Sequence, residues 1–108
     1  MANPPLTVRT SDDGTVVLQP RGDVGVDAAV ELRQVLVHLI RRVRPYRLVV
    51  DLAEVSGLDD INVGTLVAIV PVADELGVAV FLDNPSAGVA DLLCASGVPH
   101  QRLRPVRA

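Results

Sequence analysis

Two aspartates, Asp59 and Asp60, stand side by side in the stretch SGLDDINVG, between an apolar run and a helical pattern. Paired carboxylates could hold a divalent cation, work as an acid and base pair, or cap a helix. A cation needs a further oxygen ligand and a concave site, and neighbours on a tight turn tend to point apart. Capping needs less: a carboxylate accepts from the free N–H groups of the first helical turn and its charge suits the helix dipole. That explains one aspartate more easily than two. Ser56 adds a hydroxyl four residues before Asp60.

The other chemical candidates are weaker. A phosphate loop needs a glycine-rich turn ending in Lys and Ser or Thr, and the chain has no lysine. The same absence argues against Asp51 as a phosphate acceptor of receiver type. GDVG at 22–25 lacks the third glycine of a dinucleotide fingerprint. Structural zinc needs several Cys and His, whereas this sequence has Cys94 alone and two separated histidines, His38 and His100. Neither histidine has a motif for nucleophilic catalysis. The reading is of a chain with no catalytic residue, metal or cofactor.

The 108 residues suit one domain, with a core over about residues 5–104. Apolar residues make up 49%, but Tyr46 and Phe81 are the only aromatics, so Val, Leu, Ile and Ala build the core. Net charge is −3 and all ten basic residues are arginine. No basic surface invites nucleic acid, and RRVRPYR at 41–47 reads as a solvated helix end. A single cysteine agrees with a reducing compartment; Cys94 reads as a small buried hydrophobe and His38 as solvated. The N-terminus lacks the pattern of a signal peptide, and no apolar run reaches the ~20 residues of a membrane span. A soluble, cytoplasmic protein without direct membrane insertion is expected.

Periodicity supplies the elements that must position Asp59 and Asp60. LTVRT and TVVLQPRG alternate as strands around the turn SDDG, with Gly14 free for positive φ and Pro20 at an edge or strand end. From Asp27, the expected N-cap, to Val43, the spacing of Ala29, Leu32, Leu36, Leu39 and Val43 predicts an amphipathic helix that Pro45 stops. YRLVVDL and GVAVFLD read as strands buried on both faces. NVGTLVAIVPVADEL between them predicts a covered helix, kinked or broken near 67–71 by Pro71. Ser86 caps a third helix that Gly97 ends, and a short edge strand is expected around 101–104. The order β-β-α-β-α-β-α, with a final strand, gives a layered α/β domain.

LVVDLAEVSGLDDINVGTLVAI resembles the central segment of STAS domains, the anti-sigma factor antagonist fold. There a strand ends in Asp-Leu, and an apolar turn leads to Asp-Ser-x-Gly at the head of a helix. RGDVGVDAAVELRQVL is similar to the family's Gly-Glu-Leu-Asp stretch and its helix, and PSAGVADLLCASGV to its Ser-Pro helix closing in Ser-Gly-Leu. The resemblance implies an α/β fold of STAS type. Its sheet is mixed and mostly parallel, of four to five strands, with three to four helices.

It also implies a bacterial regulator that binds an anti-sigma factor of serine-kinase type and so frees a sigma factor; a homodimer is compatible with it. In the family the kinase phosphorylates the motif's serine, and a phosphate of about −1.5 to −2 charges weakens docking. Here Asp59 matches the family aspartate, Asp60 falls where the serine belongs, Asn62 replaces the glycine, and Gly25 stands at a usual aspartate. Three roles remain open for Asp60: a fixed phosphate mimic, a charge of the interface, or a helix cap. The expected docking surface is Asp59, Asp60, Ile61 and Asn62, flanked by Ser56 and Gly57, with Asp23 and Gly25 on the same face. Loss of the serine also suits STAS domains that act as constitutive subunits of larger assemblies, such as signalling particles or lipid-transport complexes.

Overall fold

The computed structural model describes residues 6–104. β1 (Leu6–Thr10) and β2 (Val16–Pro20) form an antiparallel hairpin. Its turn closes through Gly14 N–H donating to the Ser11 carbonyl at 2.9 Å, with Gly14 at φ +89°. Pro20 ends β2, where its missing N–H costs the ladder least. A short β3 (Gly22–Val24) and a 3₁₀ turn (Val26–Ala28) lead into α1 (Ala29–His38). Asp27 is not the N-cap expected from sequence. It lies inside the 3₁₀ turn with its side chain exposed, and Gly25 takes the cap position without a side-chain bond.

The first helix then widens into a π turn, Leu39–Val43, closed by Arg44 N–H on the Leu39 carbonyl at 2.8 Å. Arg44 takes φ +50°, and Pro45 follows. The extra residue in that turn rotates Val43 off the apolar stripe, leaving it 48% exposed. β4 (Arg47–Asp51), β5 (Val55–Leu58), α2 (Asp60–Glu75) and β6 (Ala79–Asp83) come next. The chain continues through α3 (Ala87–Ala95), a 3₁₀ turn (His100–Arg102) and β7 (Leu103–Arg104). Sequence reading missed β3 and β5, which pair with each other in parallel outside the main sheet.

The main sheet has the order β1-β2-β4-β6-β7, and all pairs but β1–β2 are parallel. Leu18, Leu48, Val50, Val80 and Leu82 point to one face and form a single core with Leu32 and Leu36 of α1, Leu66 and Val70 of α2, and Leu93 of α3. The opposite face carries no helix among the described residues. There Val17, Val49 and Phe81 align in register, and the Arg104 guanidinium lies 4.2 Å from the Phe81 ring centre. β4 is thus buried on both faces without a helix on the second, where Arg9, Arg47 and Arg104 line a hollow together with Val17 and Val49.

The break expected at Pro71 does not occur, and Cys94 is not buried. α2 runs unbroken through Pro71, which sits on the exposed side, where water can satisfy the carbonyl that the proline leaves without a donor. Cys94 is exposed rather than buried: the inward stripe of α3 is Val89 and Leu93, and the next residue turns about 100° away from it.

Candidate docking site at the head of the second helix

β4 delivers the chain to this site and is fastened at its end by Asp51. One carboxylate oxygen of Asp51 accepts from Ala53 N–H and Asn84 Nδ2, and the other from Gln19 Nε2, each at 3.1 Å. Asp51 therefore works as a clamp between β2, β4 and the loop after β6. The chain turns at Leu52–Val55 and enters β5, which lies beside β3 with Asp23 opposite Gly57 and Val24 opposite Leu58. A Cβ on Gly57 would meet Asp23 Oδ1 at 2.8 Å. Glycine there leaves room for the Asp23 carboxylate, which a larger residue would push aside.

Asp59 ends this pairing and starts α2. Its N–H donates to the Val24 carbonyl at 3.0 Å, and its Oδ1 accepts from Asp60 N–H at 2.9 Å. Asp59 is the N-cap, with extended backbone at ψ 154°. Asp60 is the first helical residue; it is exposed, and no hydrogen bond or ion pair engages its carboxylate among the described residues. Capping thus accounts for Asp59 and leaves the Asp60 side chain free. Ile61 beside it is 53% exposed.

Asn62 does not join the outward surface expected for it. It is wholly buried, and Nδ2 donates to the carbonyls of Val24 at 3.0 Å and Gly25 at 2.9 Å, while Oδ1 has no partner. The sequence held the sign of this. Asn62, Leu66, Ile69 and Ala73 follow helical spacing on one buried stripe. Asn62 therefore fixes the end of β3 to the head of α2 and acts on the surface only through that geometry.

The other expected residues do gather there. Asp23 and Ser56 are exposed, and Gly25, Gly57 and Asp59 are half-buried around the same junction. Val26, 64% exposed in the 3₁₀ turn after Gly25, is a member that sequence reasoning missed. An unpaired valine between Gly25 and Asp27 gives no periodic signal. The junction thus sets the exposed carboxylates of Asp23 and Asp60 near exposed Val26 and Ile61. Among the described residues, no three His, Cys, Asp or Glu side chains converge as a metal site.

A family model described as Mlab, STAS domain, matches residues 7–105. The chain belongs to the STAS domain family. Its fold is shared with the phosphorylated form of SpoIIAA, a cell fate determinant of Bacillus, at TM-score 0.78 and 16% identity over 95% of this chain and 92% of that one. A serine-to-glutamate variant of RsbS from Moorella thermoacetica superposes at TM-score 0.76 with 19% identity, over 95% and 86% of the two chains. A putative anti-sigma factor antagonist of Thermotoga maritima gives TM-score 0.77 and 17% identity at the same coverages, 95% and 86%. At these identities the likeness establishes the STAS fold alone. No curated protein matches the sequence.

Proposed function

We propose that this STAS domain is a non-catalytic, cytoplasmic docking module of anti-sigma factor antagonist type, whose interface charge is fixed rather than switched. Its partner is an anti-sigma factor of serine-kinase type, and docking of that partner releases a sigma factor for transcription. The observation that carries the reading is the free, exposed carboxylate of Asp60 at the position where the resembling motif has its serine. A carboxylate offers no hydroxyl to a kinase. Asp23 and Asp59 surround the same junction without an ion pair among the described residues, so one more negative charge extends an acidic surface rather than spoiling an apolar one. A partner with an arginine or lysine at the matching place would be held by that surface.

The test is calorimetric titration of the anti-sigma factor with the native chain and with Asp60→Arg. Reversal of the charge is expected to weaken binding at least a hundredfold, about 2.7 kcal/mol, and the native complex to weaken as salt rises. Equal affinities would remove Asp60 from the interface.

A second reading, a constitutive subunit of a larger assembly, is favoured by the same missing hydroxyl and by the match to the Mlab-type family model. In that case the native chain copurifies from its own cell with an ATPase or a scaffold of repeated copies, and not with a kinase-like anti-sigma factor.

A further inference from the structure

A second surface of opposite polarity lies between α1 and α2. Val37 on the first helix and Gly64, Ala68 and Val72 on the second line a trough of about 430 Å³, with Arg33 and Arg41 beside it. The α2 side is open: Gly64 and Ala68 are exposed, Val72 is 39% exposed, and a Cβ added at Gly64 would meet nothing within 4 Å. The two arginines are about two helical turns apart along the trough. Neither makes an ion pair among the described residues, where the pairs found are Arg102–Asp74 and Arg104–Asp83. On a chain of net charge −3, two unpaired guanidinium groups beside one apolar trough form a local field opposed to the whole.

We infer that this trough docks an amphipathic helix of a partner protein, with apolar residues at helical spacing and acidic residues about two turns apart that meet Arg33 and Arg41. The trough follows α2 for about 16 Å from Ile61 to Val72, the length of three turns of helix. Gly64 and Ala68 keep its wall low, so another backbone can approach closely. The concave shape between two helices suits a helix and not a flat lipid surface. A second copy is a poor occupant, because the apolar stripes of α1, α2 and α3 are already spent on this chain's own core. The trough shares Ile61 with the junction at the head of α2, but its charges are of the other sign and come from α1 and the π turn after it.

The probe is a synthetic helical peptide of about 20 residues, with leucines at every third and fourth position and glutamates flanking them. Its control carries lysines in place of the glutamates. Backbone amide shifts of the ¹⁵N-labelled chain are expected to change along Val37, Gly64, Ala68 and Val72 with the glutamate peptide and not with the lysine peptide. Arg33→Glu together with Arg41→Glu, both exposed positions, is expected to weaken the complex at least tenfold while far-ultraviolet circular dichroism stays unchanged. Arg9→Glu, an exposed reversal on β1, is expected to leave it within twofold. Equal binding of both peptides, or no shift in the trough with either, would overturn the inference. So would capture of the chain by phosphatidylglycerol vesicles without peptide binding, or concentration-dependent self-association that covers the same amides.

Discussion

Two regions of this molecule carry aspartates in different company, and the contrast separates structure from function. On the helix-free face of the sheet, Asp83 holds Arg104 through two hydrogen bonds of 2.7 and 2.9 Å, and Asp51 is engaged by Gln19, Ala53 and Asn84. Their charges are answered inside the chain, and the arginine covers Phe81 as well. At the head of α2, Asp60 has no answering group among the described residues, and an exposed isoleucine sits next to it. Asp51 and Asp83 are matched within the chain, and the proposed docking role leaves Asp60 for a partner. The exception at the head is Asn62, whose buried amide builds the platform on which the free charges stand.

The sharpest way to break this contrast is to remove the platform. Asn62→Ala removes one of two donors from each of the Val24 and Gly25 carbonyls, which keep the N–H groups of Asp59 and Ala28, so the loss is that of two hydrogen bonds at a net value of about 0.5–1.5 kcal/mol each. A loss of about 1–3 kcal/mol in urea unfolding is expected. A loss below about 1 kcal/mol would mean that the strand pair β3–β5 stays in place without it.

A smaller effect is expected from the paired side. Arg104→Ala removes a bidentate pair that is partly exposed, with its side chain at 41%, so about 1 kcal/mol is expected after solvent screening. Asp60→Ser should change stability by less than about 0.5 kcal/mol, as for a surface residue away from any network. Reversed sizes for these two substitutions, again by urea midpoint, would invert the assignment of structural and functional charge.

The smallest effect concerns acid. The Asp13 carboxyl in the β1–β2 turn is held below its ordinary range, first by the Thr15 backbone N–H at 3.0 Å and then by Tyr46 OH, with Arg47 adding a little. A lowered pKa means that the folded state binds a proton less readily than the unfolded one. Its contribution is complete above the unfolded value of about 3.9 and disappears as pH falls through the folded one. Stability of the native chain should therefore fall slightly more than that of Asp13→Asn below about pH 4. Parallel acid titrations of the two unfolding curves would show no hairpin contribution.

Much of this was legible in the sequence because periodicity reports burial. The alternation of LTVRT, the stripe Leu32–Leu36–Leu39 and the run RLVVD placed the hairpin, α1 and β4, and Ser86 was a readable cap. β3 and β5 escaped because three- and four-residue strands that pair outside the main sheet are too short to show a period. Pro71 misled because propensity cannot tell the exposed side of a helix from the covered one. At the site, Asp59, Asp60 and Ile61 lie where the motif spacing put them. Asn62 points inward because a residue at the third helical position joins the core stripe whatever its polarity. The trough between α1 and α2 was invisible: it depends on which flank of an almost wholly apolar helix the neighbouring helix leaves bare.

The most direct test is the affinity of the native chain and of Asp60→Ser for the serine-kinase-type anti-sigma factor, measured side by side before any ATP is added. Native protein is expected to bind at least tenfold more tightly, about 1.4 kcal/mol, because the serine gives up a charge that the interface uses. Tighter binding by Asp60→Ser would contradict this and make Asp60 a permanent imitation of the phosphorylated state.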